Sequence, residues 1–183
     1  MKLDDSTLAH LSTVSRACRH LSEWTGRVIA WLTIPMVAVT FVIVVLRYVF
    51  SLNWIWMQES VVWMHAALFM LASAYTLNRN EHVRVDIFYR ELGAWQKAWV
   101  DLGGTLLFLL PVSIFLVVMS WDYVSVSWAI HERSPEAGGM PFPFVPLLKS
   151  VIPLTFALVA MQGVAMLIDC FAILCRGDNA SES

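Results

Sequence analysis

The stretch RYVFSLNWIWMQESVVW, residues 47–63, separates two long apolar runs and carries one basic and one acidic side chain, Arg47 and Glu59. Residues 28–46 before it and residues 60–78 after it contain no Lys, Arg, Asp or Glu. A helix of about 20 apolar residues crosses the roughly 30 Å hydrocarbon core of a bilayer. The stretch therefore predicts the turn of a transmembrane helical hairpin.

The rest of the chain also has the composition of a membrane protein. Of its 183 residues, 58% are hydrophobic and 14% are charged, whereas soluble domains average about 25% charged residues. Two further uncharged runs, residues 102–121 and 150–168, are long enough to cross a bilayer. We predict an all-α membrane protein whose four transmembrane helices cover about residues 28–50, 57–78, 99–125 and 149–172.

Basic residues predict the orientation of these helices. Of the 12 Lys and Arg residues, only Arg47, Arg133 and Lys149 are expected on the same side of the membrane as the turn at residues 47–63. Lys and Arg concentrate in the cytoplasmic loops of membrane proteins. We therefore expect both termini in the cytoplasm, with residues 1–26 forming a cytoplasmic N-terminal segment, residues 27–174 the membrane domain and residues 175–183 a disordered tail.

Two segments outside the predicted spans have the periodicity of amphipathic helices. Apolar residues recur every three or four positions over residues 6–25 and again over residues 88–99. Such helices lie along a membrane interface or pack against a partner. The first stripe includes Leu8, Leu11, Val14, Cys18 and Leu21, and the second comprises Phe88, Leu92, Trp95 and Trp99.

Proline is expected to distort three of the predicted spans. Pro35, Pro111 and Pro153 each lie inside an apolar run. Proline lacks the backbone N–H of a helical hydrogen bond, and its ring crowds the preceding turn. We expect helices 1, 3 and 4 to bend near these residues.

Arg47 and Glu59 each lie six residues from Asn53. In a tight antiparallel hairpin, equal separation from the turn gives equal depth in the membrane. Pairing lowers the cost of placing charges in a bilayer, which is about 2.5–3.5 kcal/mol at the helix centre. We interpret the two residues as an ion pair that staples the hairpin. The alternative is a proton relay through Glu59, and it requires further ionisable groups at depth.

The residues also leave two other functional classes open. His65 is the only histidine inside a predicted span, and haem bound between helices uses two histidines at similar depth. His65 has no such mate, so we interpret it as a hydrogen-bonded core or interface histidine. The alternatives left open are a haem- or quinone-associated anchor subunit of an oxidoreductase and a small proton-coupled exporter using Glu59. We find no motif for a nucleotide, a metal or a catalytic nucleophile. We expect no enzymatic activity, no cofactor, no metal site and no nucleic-acid partner.

Several short motifs occur in a definite order along the chain. RYVF covers residues 47–50, WMQES covers 56–60, and EHVRVDIF covers 81–88. A proline-containing loop then runs into Lys149 and Pro153. In this order, combined with four spans, the chain resembles the DctQ-like small membrane subunit of tripartite ATP-independent periplasmic (TRAP) transporters.

The resemblance implies a non-catalytic subunit of a sodium-coupled secondary transporter for organic acids in the cytoplasmic (inner) membrane of a bacterium or archaeon. Its expected partners are a large multi-span membrane subunit that it scaffolds, a periplasmic substrate-binding protein and the lipid bilayer. The resemblance assigns structural or partner contacts to Arg47, Trp56, Glu59, His82, Arg84, Asp86, Lys149 and Pro153.

Overall fold

The computed structural model describes residues 5–79, 89 and 92–180. Consecutive apolar residues in this chain form helices, because a helix satisfies every backbone polar group within one segment. In order, the helices are α1 (Asp5–Ala30), α2 (Thr33–Val49), α3 (Ile55–Leu71), α4 (Ser73–Asn78), α5 (Ala94–Gly104), a π-helical segment (Thr105–Leu109), α6 (Leu110–Ala129) and α7 (Phe144–Ala180).

These helices join into four segments that are long and apolar enough to cross a membrane. The segments are Thr13–Val49, Ile55–Asn78, Trp95–Ala129 and Phe144–Leu174. They confirm the predicted all-α membrane fold with four spans. The first segment, with 37 residues, would be about 55 Å long as a straight helix at 1.5 Å per residue. It therefore extends beyond a hydrocarbon core of roughly 30 Å.

The helical backbone is irregular just before two of the three prolines. A turn at residues 31–32 separates α1 from α2 ahead of Pro35, and the Leu32 N–H donates to the Ile29 carbonyl at 3.0 Å. The π-helical segment ends two residues before Pro111. A wider or broken turn at these places accommodates the proline ring and the missing N–H. Pro153 lies inside the continuous helix α7.

The four spans lie side by side in a row. Among the described elements, extensive contacts follow the order α2, α3, α7, α6, and α7 also contacts α1, α4 and α5. The last helix is therefore the hub of the structure. At one end of the row, none of the residues of α2 is buried. Most of its surface is accordingly available to lipid or to another protein.

Helix α1 packs along α7 through its small side chains. Ser15 and Ser22 are buried, and a Cβ atom added to Gly26 would lie 2.6 Å from Cβ of Tyr75 on α4. Small residues allow helix backbones to approach closely. Val14 and Leu21, which belong to the predicted apolar stripe, are exposed. The sequence pattern predicted the exposed stripe but not the small polar face that holds α1 to the other helices.

The amphipathic helix predicted over residues 88–99 is not a single helix. Gly93 has an extended backbone (φ −68°, ψ 164°), and α5 begins at Ala94. The Gly93 N–H donates to the Gln96 side chain at 3.1 Å, which satisfies one donor at the helix start. Leu92 lies before this boundary, Trp95 and Trp99 lie after it, and Phe88 lies outside the described residues. The two tryptophans therefore open the third span, with their ring centroids 6.1 Å apart.

The end of α7 also differs from the prediction. We predicted disorder from residue 175, whereas the helix continues to Ala180. Adding a residue to an existing helix forms a hydrogen bond without a new nucleation cost, so a long apolar helix can run on into a polar segment. Residues 181–183 lie outside the described residues.

Candidate functional site

Glu59 attaches the loop between α6 and α7 to the start of α3. Its carboxylate accepts one hydrogen bond from the Met140 backbone N–H at 2.7 Å and another from the Ser134 hydroxyl. The Ser134 N–H in turn donates to the Met140 carbonyl at 3.1 Å. Gly139 passes so close that a Cβ atom there would lie 2.8 Å from Glu59 Oε1. The loop is therefore folded tightly around this one carboxylate.

The predicted ion pair between Arg47 and Glu59 is wrong: over the described residues, no salt bridge joins them. Arg47 is exposed at the end of α2, and the Glu59 carboxylate faces the α6–α7 loop instead. Equal separation from a turn fixes the depth of two side chains but not their direction around each helix axis. The hairpin is closed by its backbone, where the Leu52 N–H donates to the Leu46 carbonyl at 3.0 Å.

Lys149 holds the other side of the same loop. Its ammonium group donates to the Glu132 carboxylate at 2.5 Å and lies 4.0 Å from the centroid of the Tyr123 ring. The hydrogen bond from Lys149 lowers the pKa of Glu132 below its ordinary value of 4.5, because it stabilises the ionised form. This contact connects the start of the loop to the start of α7.

Aromatic side chains fill the space beneath the loop. The Phe142 ring lies 4.7 Å from His131 and 5.9 Å from Trp128, measured between ring centroids. The Trp128 indole donates to the Ser150 hydroxyl at 3.0 Å. We call loop residues 130–143, with Glu59 and Lys149 that hold them, the loop platform.

At the opposite end of the spans, Gln162 of α7 joins three helices. Its side-chain oxygen accepts a hydrogen bond from the Ser22 hydroxyl of α1 at 3.0 Å, and its amide nitrogen donates to the Asn78 side chain of α4 at 3.1 Å. Gln162 is 1% exposed and Ser22 is fully buried. We call these three residues the glutamine network.

Ion pairs surround the glutamine network. Asp169 of α7 accepts a hydrogen bond from Ser15 at 3.0 Å and pairs with Arg19, both of which belong to α1. Glu23 of α1 lies 3.3 Å from Arg79, beyond the end of α4. Together these contacts fix α1 against the membrane helices.

The residues predicted for structural or partner contacts fall in several places. Glu59 and Lys149 form the loop platform. Trp56 is exposed and stacks on Trp54 with ring centroids 6.2 Å apart. Pro153 lies half-buried in α7, and His82, Arg84 and Asp86 lie outside the described residues.

Sequence analysis missed Ser134, Glu132 and Gln162. Only Gln162 carried a usable signal, because a single amide in an apolar run indicates a hydrogen-bond partner on another helix. Ser134 and Glu132 belong to a polar loop whose composition gave no indication of their partners.

His65 lies on the exposed side of α3, beside an open groove of about 570 Å³ between α2 and α3. Within the part of the chain that the structure describes, no group of three or more His, Cys, Asp or Glu side chains could hold a metal ion. The other residues lining the groove are Met36, Val37, Thr40, Phe41, Val61 and Val62.

A model of the DctQ component of tripartite ATP-independent periplasmic transporters matches residues 36–172 of this chain. The chain belongs to the DctQ family. The matched range contains the loop platform, as well as Gln162 and Asn78 of the glutamine network. The resemblance predicted from the sequence is thereby confirmed.

A curated relative of this DctQ-family chain is the C4-dicarboxylate TRAP transporter small permease protein DctQ of Vibrio cholerae serotype O1. It is 29% identical over an alignment of 143 residues, and the match covers 70% of this chain. The match spans 60% of that relative's length. No solved structure matches the chain.

Proposed function

We propose that this chain is the small, non-catalytic membrane subunit of a TRAP transporter and that it scaffolds a large multi-span subunit. The family match over residues 36–172 carries this proposal. The large subunit would move the substrate, and a periplasmic binding protein would deliver it. Both would be partners of this chain, which would lie in the cytoplasmic membrane of a bacterium or archaeon with its two termini in the cytoplasm.

The polar contacts of the spans support a scaffolding role. Glu59 is occupied by two donors from the loop, and Gln162 is occupied by partners on two helices. A substrate site in a transporter requires polar groups that are free to bind the substrate. These two residues instead join parts of the same chain, as expected of a rigid support.

The row arrangement supports a partner in the membrane. Large apolar side chains are exposed along the row, including Phe41 of α2 and Phe69 of α3. The predicted orientation places the loop platform on the periplasmic side, where the binding protein acts. We propose an organic acid as the substrate and sodium as the coupling ion, and the name of the Vibrio relative makes C4-dicarboxylates the first substrates to examine.

Reconstitution tests this function. The large subunit is placed in proteoliposomes with or without this chain, and uptake of a labelled C4-dicarboxylate is measured with binding protein outside and an inward sodium gradient. We expect uptake only when both membrane subunits, the binding protein and sodium are present. A panel of other organic acids is measured in parallel to identify the substrate.

Full uptake without this chain would contradict the scaffold role. Transport by this chain alone, lost on Glu59→Gln, would favour the exporter alternative. Purification from native membranes with a redox subunit and a haem absorbance band would favour the oxidoreductase alternative, and His65→Ala would then be the first variant to measure.

A further inference from the structure

His65 presents a polar ring at the middle of a membrane span. It is the eleventh residue of the Ile55–Asn78 segment, about 15 Å from the start of that segment at 1.5 Å per residue. This is half of a hydrocarbon core of roughly 30 Å. The ring is exposed and forms no hydrogen bond with another described residue. Polar side chains at this depth normally face protein or a water-filled cavity.

The groove beside His65 is shaped by the way α2 and α3 meet. The two helices contact one another, yet none of the residues of α2 is buried. The groove walls are apolar except for Thr40 and His65, and the Thr40 hydroxyl donates to the Met36 carbonyl of its own helix at 2.7 Å. His65 is therefore the polar group of the groove whose hydrogen bonding is unmet.

The other end of the row has a different surface. Near the middle of the third segment, α6 exposes Phe115, Val118 and Met119. These side chains are apolar and require no hydrogen-bond partner, so lipid acyl chains suit this surface. Both ends of the row expose apolar side chains. They differ in that the groove between α2 and α3 also contains a polar side chain, His65, whose hydrogen bonding is unmet.

We infer that a transmembrane helix of the large permease subunit docks in the groove between α2 and α3 and hydrogen-bonds His65 at mid-membrane depth. This inference rests on the proposed function. An acyl chain could fill the groove, but it carries no hydrogen-bonding atom at this depth. A helix can supply a polar side chain there, and such contacts join helices inside membranes.

Photo-crosslinking of the assembled transporter tests the position of this interface. A benzophenone amino acid replaces Val62 in one variant and Val118 in the other. Both valines are 63% exposed; Val62 lies on α3, beside the end helix α2, and Val118 lies on α6 at the other end of the row. We expect the Val62 variant to form an adduct that mass spectrometry identifies as the large subunit, with a yield several-fold above that of the Val118 variant. If replacement of Val62 prevents assembly, Val37 on the α2 side of the groove, 60% exposed, takes its place.

Variants of His65 test the hydrogen bond itself. His65→Leu is expected to lower recovery of the large subunit about three- to tenfold, because one interhelical hydrogen bond is lost. His65→Gln keeps a donor and an acceptor and is expected to retain most of the recovery. If the two variants lost equal amounts of the large subunit, the inferred hydrogen bond to His65 would be contradicted.

Several crosslinking results would overturn the docking site. These are an equal or larger adduct from the Val118 variant, a groove adduct with lipid only, and a groove adduct with a second copy of this chain. In each case the large subunit would still co-purify, and the proposed function would stand. If the wild-type chain does not bring down the large subunit, both the function and the docking site are overturned.

Discussion

At the loop platform a carboxylate, Glu59, holds the backbone and hydroxyl of a loop, whereas in the glutamine network a neutral amide, Gln162, joins three helices. The two ends of the spans thus use different chemistry for similar tasks. A carboxylate is costly to remove from water, and Glu59 is only half-buried near the start of its span. An amide forms a donor and an acceptor contact without a net charge, and Gln162 can therefore be almost fully buried.

The difference has a consequence for stability. The glutamine network connects α1, α4 and α7, so its loss should loosen the packing of whole helices. The loop platform connects a loop to helix ends, so its loss should act locally. Four measurements test this difference between the two ends of the spans.

Gln162→Leu should have the largest effect. It leaves the Ser22 hydroxyl and the Asn78 side chain without their shared partner, and unsatisfied buried groups cost about 1–3 kcal/mol each. We expect a clear fall in the thermal unfolding midpoint of the purified protein. Combining Gln162→Leu with Ser22→Ala should cost less than the sum of the two single changes. An unchanged midpoint for Gln162→Leu would mean that the network contributes nothing to stability.

Glu59→Ala should act mainly on the loop. The substitution removes two hydrogen bonds to a charged acceptor, worth about 1.5–3 kcal/mol each in general and less here because Glu59 is only half-buried. Hydrogen exchange at the Met140 amide should become faster, while exchange in α1 should stay the same. Arg47→Ala is the matched control and should leave the loop unchanged. If Arg47→Ala accelerated exchange at the Met140 amide as much as Glu59→Ala, that result would support the ion pair between the two residues that we predicted from the sequence.

Replacing one glycine at each end of the spans by alanine compares how tightly the two ends are packed. Gly26→Ala places a methyl group against Tyr75, and Gly139→Ala places one 2.8 Å from Glu59 Oε1. Overpacking of this kind costs about 1–3 kcal/mol. Gly104→Ala meets no atom within 4 Å and should stabilise its helix by up to about 1 kcal/mol. Thermal midpoints that rise in all three variants would mean that neither contact is tight.

Acidification should give the smallest effect. The folded-state pKa of Glu132 lies below 4.5, so its contact with Lys149 contributes fully at neutral pH. As the pH falls through this folded-state pKa, the Glu132 carboxylate is protonated and the contribution of the contact to stability is lost. The difference in thermal midpoint between wild type and Glu132→Gln should therefore shrink in acid. A difference that grows as the pH falls would contradict the ion pair.

The spans could be predicted from the sequence because apolar length alone decides whether a helix crosses a membrane. Pro35 and Pro111 likewise marked irregular backbone, because proline removes a specific hydrogen bond. Glu59 was singled out from the sequence, but its hydrogen-bond partners were not predicted. One donor is a backbone N–H, which every residue except proline carries, and Met140 lies 81 residues further along the chain. Residue type therefore held no information about this contact.

The packing of α1 was missed for a related reason. The apolar stripe dominated the periodicity, whereas Ser15, Ser22 and Gly26 form the contact face. In water, burial of apolar area selects the contact face of a helix. In a helix that lies at a membrane interface the apolar stripe can face lipid, so small and polar residues form the contact with neighbouring helices instead. A rule learned from soluble helices identifies the wrong side of this helix as its contact surface.

The position of α7 as the hub has a consequence for biosynthesis. A ribosome makes α1 through α6 before α7, yet α7 supplies the contacts that connect α3 to α6 and the most extensive contacts of α1. Until this last helix enters the bilayer, Ser22 and Asn78 lack the amide that joins them. The contacts that join α3 to α6 therefore form only after α7 has been synthesised. A chain interrupted before α7 lacks these contacts and leaves surface exposed, which favours misassembly.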